Sequence, residues 1–381
     1  MSLPSVDLVY TLPPPYGGVA VHVKRMYERL RKAGVDCRSY LSPRMHTAEQ
    51  PPGSSTPLMP VNKWRYYPYT WRWLTRYGLG SPKAVVHIQD DFLWASAIFA
   101  LRWAKRPVVL TVHDIVPRSR ICRTRPWEQL AAKWIVRDQG IRWIAVSERT
   151  KAELLAMGIC PHTVAVIPAY LPPVLDGASE LLPSDLENFI QRRSPFLAMY
   201  GSRLMRDPLG KDVYGFDIAC EAIAKLKTEF PNIGLVILVP NLRPVSDSER
   251  LRALIARLKI EPNVILCSDP LPEAWPLWRR ADVYVRPSTM DGDAIAVREA
   301  LYVGTPVVAS DAVWRPKGVL LHKGGDRDDL IKAIKQGLAN GKTMGLASDD
   351  GDANFEAILG VYRSALSAQS DHLRRSGRTL V

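Results

Sequence analysis

Two acidic side chains at a fixed spacing give the clearest chemical signal in the sequence. Asp291 lies in a polar loop, and Glu299 follows on a segment with helical periodicity. At a rise of 1.5 Å per residue, a mostly helical interval of this length separates the two carboxylates by about 12 Å. Between them, near Ile295 and Ala296, lie the first free N–H groups and the positive dipole end of the predicted helix, which favour a phosphate. The distance is about that from a hexose ring to a ribose across a diphosphate.

Two basic residues in the same half of the chain are suited to neutralising such a ligand. Arg203 follows an apolar run at residues 196–200, at the predicted carboxyl end of a strand, and Lys211 lies in the loop beyond it. A cation fixed at such a position can neutralise an anionic ligand such as a phosphate. The alternative for Arg203 is a solvated surface side chain.

Candidate residues also occur in the first half of the chain. His113 closes an apolar strand at its carboxyl end, where α/β folds place ligands, although a histidine satisfied by local backbone is the alternative. Gly17 and Gly18 follow a predicted strand and open a helix, so that a ligand can approach the backbone closely. A glycine pair at a helix start is also common without function, and a complete G-x-G-x-x-G is absent.

The elements that must position these residues alternate along the chain. Short apolar runs, from residues 6–10 to residues 307–309, are separated by segments with helical spacing. Runs that are apolar on both faces indicate parallel strands covered by helices on each side. A chain of 381 residues is longer than a typical domain with a single hydrophobic core. We therefore predict an α/β fold with two Rossmann-like, doubly wound parallel sheets. The Pro-, Gly- and Ser-rich segment 171–195 predicts domains at 1–190 and 191–352, followed by a C-terminal helix and basic tail at 353–381.

Composition and charge narrow the class of protein. The hydrophobic content of 47% excludes a largely disordered chain, and the net charge of +13 favours anionic partners. The five cysteines are scattered and never spaced C-x-x-C, which fits a reducing compartment. We expect neither a signal peptide nor a transmembrane span, because no suitable apolar run occurs.

Aromatic and basic residues are concentrated in two segments of the first half. Trp71 and Trp73 lie among tyrosines and arginines in residues 63–78, a pattern typical of a membrane interface or of a partly buried surface helix. Arg118, Arg120 and Arg123 form a basic loop after His113, suited to an anionic acceptor or present only as a solvated charge run. We expect acceptor or membrane contacts here.

A resemblance covers both halves of the chain. The strand, loop and helix with acid-x7-acid, followed by A-L-x-x-G-T-P-V-V-A-S, resembles the nucleotide-sugar-binding motif of the retaining GT-B glycosyltransferases of family GT4. The similarity continues, in the family's order, through PPYGGVAVHV, LTVHD, AVSERTKAEL, VAVIPAY, YGSRL and YGFDIACEAI. No single segment is specific to the family, but the order in which the segments occur along the chain is.

The resemblance implies a function and roles. Two domains would face a cleft, the second binding the nucleotide sugar and the first the acceptor, with the C-terminal helix returning to the first. The enzyme would be a retaining, metal-independent hexosyltransferase (class EC 2.4) with no cofactor besides its donor substrate. Asp291 would bind sugar hydroxyls, Glu299 the ribose, and His113 the transferred sugar. Arg203 and Lys211 would bind the diphosphate, and the backbone of Gly17 and Gly18 would lie close to the donor.

Two departures from the family pattern stand out. The first acid is Asp291 where glutamate is usual, and Tyr214-Gly215 replaces the usual Lys-Gly, which makes Lys211 the candidate phosphate-binding lysine. Asp291 and Asp293 also spell D-x-D, a metal signature of another glycosyltransferase architecture. This tripeptide pattern recurs at 326–328 and 350–352, so we give it little weight and predict no metal.

We expect a glycan or lipid-linked acceptor in polysaccharide, lipopolysaccharide or glycolipid assembly, in the cytoplasm or at the inner face of the plasma membrane. A nucleotide-sugar 2-epimerase of the same architecture is the alternative, since it binds the same donor but needs acid/base carboxylates and no acceptor. A noncatalytic nucleic-acid-binding module would explain the charge but leaves the acidic pair without a role, so we expect no nucleic-acid partner.

Overall fold

The computed structural model describes residues 5–10, 18–40, 84–89, 95–113, 126–175, 181–240, 242, 245–269, 271–291, 294–343 and 350–375. The chain divides into two compact units. The first unit contains residues 1–171 and 349–381, and the second contains residues 172–348.

The first unit is built on a parallel sheet. Its strands are β1 (Val6–Val9), β2 (Cys37–Tyr40), β3 (Val85–Ile88), β4 (Val108–Val112), β5 (Arg142–Ala145) and β6 (Val164–Val166). They are ordered β2-β1-β3-β4-β5-β6, and every pair is parallel. The direction of winding reverses between β1 and β3, which is the point where such sheets bind ligands.

The second unit repeats this architecture. Its strands are β7 (Phe196–Tyr200), β8 (Gly234–Leu238), β9 (Val264–Cys267), β10 (Val283–Arg286), β11 (Val307–Ser310) and β12 (Val319–His322). The order β12-β11-β10-β7-β8-β9 is again all parallel, with the reversal between β7 and β10. The predicted α/β fold with two doubly wound parallel sheets is confirmed.

Helices connect the strands in both units. In the first unit they are α1 (Gly18–Lys32), α2 (Ala95–Trp103), α3 (Pro126–Arg137) and α4 (Glu148–Ala156). In the second they are α5 (Ser184–Gln191), α6 (Phe216–Leu226), α7 (Val245–Arg257), α8 (Trp275–Arg280), α9 (Ile295–Tyr302) and α10 (Arg327–Asn340). The C-terminal helix is α11 (Asp350–Arg375). In the part of the chain that the structure describes, no helix has the length and apolarity to cross a membrane.

Each sheet is buried on both faces, as its continuous apolar strands predict. Along β7, Leu197 and Met199 join one hydrophobic cluster, while Phe196 and Ala198 join another. This alternation follows from the two-residue period of a strand. Helices therefore cover both faces, and the carboxyl edge of the sheet is where polar side chains collect.

The second unit begins at Pro172, earlier than the expected break near residue 190. The reason is helix α5, whose Leu186 is fully buried among Phe196, Trp275 and their neighbours in the second unit. The segment that its composition marked as a linker thus contributes to the second core.

Helix α11 packs on the first unit. Phe355, Ile358, Leu359 and Tyr362 recur at helical spacing and are buried in the cluster that also contains Leu8 of β1. Residues 349–381 accordingly belong to the first unit, although they follow the second along the chain.

Candidate active site

The second sheet presents a buried ion-pair network where its winding reverses. Arg286, the last residue of β10, donates from Nη1 to the carbonyl oxygen of Tyr200, the last residue of β7. Its Nε and Nη2 donate to the two oxygens of Asp291 at 2.8 and 2.9 Å. The guanidinium also lies 4.7 Å from the centre of the Tyr214 ring. Arg286 therefore ties together the two strands that flank the reversal and the loop that leads to α9.

Asp291 is held from two further directions. Arg315 donates from Nη1 to Oδ2 of Asp291 at 2.9 Å, and the hydroxyl of Ser288 donates to the same oxygen at 3.1 Å. Arg315 also reaches Ser310 at the end of β11, through Nε to its carbonyl oxygen at 3.2 Å. Both carboxylate oxygens of Asp291 thus accept hydrogen bonds from the protein. The binding of sugar hydroxyls by Asp291 stays a prediction.

The charges of this network are fixed at neutral pH. Burial alone would raise the pKa of the Asp291 carboxyl, but attraction and hydrogen bonds from Arg286, and then from Arg315, outweigh it and lower that pKa. Burial opposes the charge on Arg286, yet Asp291 raises the pKa of its guanidinium. Two guanidinium groups against one carboxylate leave a net positive charge, which favours an anion at this edge of the sheet.

The predicted strand, loop and helix around the acidic pair are present. Strand β10 ends at Arg286, α9 spans Ile295–Tyr302, and Gly304 follows with a φ of 81° before β11 begins at Val307. At the start of α9, Ala294 makes no capping hydrogen bond through its side chain, and Ile295 and Ala296 are partly exposed. The amino end of the helix is in the position expected for phosphate binding; that role stays a prediction.

Glu299 lies on the second turn of α9 and is buried. Its Oε2 accepts a hydrogen bond of 2.9 Å from the indole Nε1 of Trp278 on α8. This bond fixes the orientation of the carboxylate. The expected contact between Glu299 and a ribose stays a prediction.

The two predicted cations are exposed. Arg203, in the loop after β7, donates from Nη2 to Sδ of Met205 at 3.4 Å. Lys211 closes a turn in which its backbone N–H donates to Oδ1 of Asp207 at 2.9 Å, and its side chain is exposed. Both residues follow the strand beside β10, so they lie along the same edge of the sheet as Asp291.

Gly215, the residue of the Tyr214-Gly215 pair that matches the family pattern, occupies a backbone position that requires glycine. Gly215 has a φ of 73°, and a Cβ placed there would lie 2.5 Å from the carbonyl oxygen of Pro287. Only glycine tolerates this approach without strain. Asp212 accepts hydrogen bonds from the backbone N–H groups of Tyr214, Gly215 and Phe216, which orders the start of α6. Tyr214, in place of the usual lysine, lies against Arg286.

In the first unit, His113 lies directly after β4, at the carboxyl edge of the sheet, as predicted. Its Nε2 is 2.7 Å from Oε1 of Gln89, which directly follows β3. The ring of His22, on α1, is 5.5 Å from that of His113, centre to centre. Gly18 is the first residue of α1. Sequence reasoning missed Gln89 and His22, as it missed Arg286 and Arg315, because nothing local marks them.

Several predicted site residues lie outside the described residues, namely Gly17, Trp71, Trp73, Arg118, Arg120, Arg123 and Asp293. Their expected roles stay predictions. Among the residues that are described, no group of three or more His, Cys, Asp or Glu side chains is arranged to hold a metal ion.

Each half of the chain matches the model of a known protein family. Residues 16–169 match the model of Glycosyltransferase Family 4, and residues 207–340 match that of Glycosyl transferases group 1. No curated protein matches the chain.

Solved structures share the fold over almost the whole chain. A sucrose-phosphate synthase from Thermosynechococcus elongatus has 19% identity and a TM-score of 0.62, covering 98% of each chain. Anabaena HepE in complex with UDP and glucose has 15% identity and a TM-score of 0.61, over 98% of this chain and 99% of the other. WaaG, a glycosyltransferase involved in lipopolysaccharide biosynthesis, has 16% identity and a TM-score of 0.59, over 96% and 98%. At these identities the likeness concerns the fold.

Proposed function

Because the chain belongs to the GT4-type GT-B glycosyltransferases, we propose that it transfers a hexose-type sugar from a nucleoside diphosphate sugar to an acceptor hydroxyl with retained configuration. The observation that carries this proposal is the match of both halves to glycosyltransferase models in the order the fold requires. The second unit supports it with a net positive network at the carboxyl edge of its sheet, where nucleotides bind in such folds.

The reaction needs stabilisation of the leaving diphosphate. The anomeric carbon becomes oxocarbenium-like as its bond to the diphosphate breaks, so negative charge accumulates on the departing oxygen. Arg203, Lys211 and the amino end of α9 are the groups we assign to that charge. In a same-face route, the departing diphosphate oxygen takes the proton of the acceptor hydroxyl. We propose no metal in this step, and EDTA in the assay tests that point.

The proposed acceptor is a glycan or a lipid-linked glycan, used in polysaccharide, lipopolysaccharide or glycolipid assembly at an anionic membrane face. An exposed patch on the first unit supports the membrane contact. Trp103 is 79% exposed on α2, and on α3 Leu130 and Trp134 are exposed beside Lys133 and Arg137. Tryptophan with adjacent cations is typical of surfaces that meet lipid headgroups.

A thermal-shift screen against UDP-, GDP-, ADP- and dTDP-sugars tests the donor proposal. A donor at 100 times its dissociation constant stabilises the protein by about 2.7 kcal/mol. UDP-glucose is the first candidate, because Anabaena HepE has been crystallised with it. Absence of stabilisation by every nucleotide sugar contradicts the proposal. Product analysis with the donor alone distinguishes transfer from 2-epimerisation, which consumes no acceptor.

A further inference from the structure

The loop that carries Lys211 is folded into a short antiparallel hairpin, which comprises residues 205–213. Arg206 and Asp212 pair across it in an antiparallel bridge. At its tip, the backbone N–H of Asp207 donates to the carbonyl oxygen of Lys211 at 2.9 Å. The backbone N–H of Lys211 donates in turn to Oδ1 of Asp207 at 2.9 Å. The backbone of Lys211 is therefore fixed, although its side chain is exposed.

Asp212 joins the hairpin to the start of helix α6. Its Oδ1 accepts hydrogen bonds from the backbone N–H groups of Tyr214 and Gly215 at 2.9 and 3.2 Å. Its Oδ2 accepts one from the backbone N–H of Phe216 at 3.2 Å. Such bonds satisfy N–H groups that the first turn of a helix leaves unpaired. Because Asp212 directly follows Lys211 in the chain, they also fix the direction of the backbone that carries the lysine.

Two further contacts hold the hairpin. Arg206 donates from Nε to Oδ1 of Asp247 on α7 at 3.0 Å. The backbone N–H of Thr289, in the loop before α9, donates to the carbonyl oxygen of Val213 at 2.9 Å. The hairpin is thus attached to the loop that leads into α9, the helix whose amino end we assign to the diphosphate.

We propose that Asp212 is a positioning residue for donor binding, whose carboxylate holds the hairpin against α6 so that Lys211 reaches the diphosphate of the nucleotide sugar. Tyr214 occupies the position of the usual family lysine and lies against Arg286, so a lysine that meets the diphosphate comes from another position. The hairpin supplies one beside the start of the same helix. This inference rests on the proposed function, because that function assigns Lys211 to the diphosphate.

Protonation of Asp212 should loosen the hairpin. A neutral carboxyl group has an O–H that donates, so it accepts from three N–H groups less well than a carboxylate does. Burial, with the nearby Asp217 carboxylate, raises the pKa of Asp212 to about 6. Within the described part of the chain, the charged groups that line a small cavity with Asp212 are Arg206 in the hairpin, Asp217 on α6, and Asp247 and Arg250 on α7.

A double-mutant cycle with Lys211 tests whether Asp212 acts through it. Calorimetry would measure the affinity of the nucleotide sugar that stabilises the wild type most in the screen above. Lys211→Ala should weaken binding about tenfold. Asp212→Asn should weaken it at least about fivefold, because an amide nitrogen cannot accept a hydrogen bond. In the Lys211→Ala background, Asp212→Asn should change the affinity less than about twofold, since the side chain that it positions is gone.

Asp326→Asn is the matched control. Asp326 also caps a helix of the second unit, since its Oδ1 accepts from the backbone N–H groups of Asp328 and Asp329 at 3.1 Å. That helix is α10, to which we assign no ligand, so loss of the cap should leave donor affinity within about twofold of the wild type. Equal losses in Asp326→Asn and Asp212→Asn, or additive effects of Asp212→Asn and Lys211→Ala, would assign Asp212 a general structural role.

The pH profile of binding gives an independent readout. Both phosphates of a nucleotide sugar are esterified, so the charge of the donor is the same at pH 5 and pH 7.5. The affinity of the wild type should fall at least about threefold from pH 7.5 to pH 5, whereas Asp212→Asn and Lys211→Ala should each lose this dependence. Over the same range, protonation of Asp212 stabilises the folded state, because its pKa is raised there. A merely structural role would therefore not weaken binding at pH 5.

The outcomes separate the inference from the proposed function. Tighter binding by the wild type at pH 5 would mean that the Asp212 carboxylate repels the diphosphate, and the inference would be wrong. Comparison of the wild type with Lys211→Ala across this pH range decides the question even if Asp212→Asn does not fold. If a nucleotide sugar binds Lys211→Ala as tightly as the wild type, the inference is wrong while the proposed function stands. If no nucleotide sugar binds the wild type, both fail.

Discussion

Arg286 and Asp291 form a two-point ion pair at the end of strand β10, with Nε to Oδ2 at 2.8 Å and Nη2 to Oδ1 at 2.9 Å. Paired hydrogen bonds of this kind fix direction as well as distance. Because Arg286 also donates to the carbonyl oxygen of Tyr200, the pair holds the loop before α9 against the strands on both sides of the reversal. The aspartate that replaces the usual glutamate is thus anchored within the second unit.

Removing the charge of Asp291 should destabilise the protein strongly. In Asp291→Asn, Arg286 and Arg315 lose the carboxylate that they share while their side chains stay buried, and breaking a buried pair typically costs about 3–5 kcal/mol. Urea unfolding measures this loss. Asp352→Asn is the control, since its side chain is 82% exposed in a surface pair with Arg29, where we expect less than about 1 kcal/mol. Equal losses at both sites would contradict the prediction.

Replacement of Arg203 should affect transfer without affecting folding. Its side chain is exposed and, within the described part of the chain, donates a hydrogen bond to Met205 alone, so Arg203→Ala should unfold at the wild-type temperature. Loss of a cation at the leaving group should lower kcat/KM at least about tenfold, or 1.4 kcal/mol. Arg192→Ala, at another exposed arginine of the same unit, is the control. An effect of Arg203→Ala below twofold would remove it from the site.

The sequence predicted well what depends on local periodicity. Runs such as residues 196–200 became strands buried on both faces, because uninterrupted apolar residues fit only a covered sheet. The C-terminal helix predicted within residues 353–381 is likewise present and packs through Phe355, Ile358 and Tyr362.

Contacts between residues that are far apart in the sequence could not be predicted from local patterns. Arg315 meets Asp291 from beyond strand β11, and no spacing rule connects the two. His22 and His113 are on separate elements, and only the folding of the sheet brings their rings together.

The charge of Glu299 should matter more to nucleotide binding than its contact with Trp278. Glu299→Gln keeps an oxygen that accepts from Trp278 Nε1 but loses the negative charge, and hydrogen bonds to charged groups contribute about 1.5–3 kcal/mol. We expect nucleoside diphosphate affinity, measured by calorimetry, to fall at least about tenfold. Trp278→Phe removes the indole N–H together with one ring of the buried side chain, but it keeps the charge of Glu299 and should change affinity less. If Trp278→Phe weakens binding more than Glu299→Gln does, Glu299 acts structurally.

The exposed aromatic patch should bind anionic vesicles. We expect the wild type to co-sediment with vesicles containing phosphatidylglycerol at low salt and less so with phosphatidylcholine alone, because Lys133 and Arg137 flank the apolar side chains. Replacing both Trp103 and Trp134 with Ser should reduce binding severalfold. Trp314→Ser is the control, because Trp314 is 69% exposed in the other unit. Equal binding by the double variant and the wild type would show that this patch does not meet lipid.

Asp212 should make stability depend on pH. Burial, with the nearby Asp217 carboxylate, raises the pKa of Asp212 from 3.8 to about 6, although the N–H groups of Tyr214 and Gly215 oppose this. The folded protein therefore holds this proton more tightly than the unfolded chain does. The contribution of Asp212 to the free energy of unfolding is present in full below about pH 4 and is lost as the pH rises through 6.

Asp212→Asn is uncharged at every pH and should remove this dependence. Its free energy of unfolding, relative to that of the wild type, should rise by on the order of 2–3 kcal/mol between pH 4 and pH 7, at about 1.4 kcal/mol for each pKa unit. Urea unfolding at both values measures the change, and the pH 4 value serves as the reference for the substitution itself. A difference that stays constant would mean that the three N–H groups keep the folded carboxylate ionised, because their hydrogen bonds then compensate for its burial.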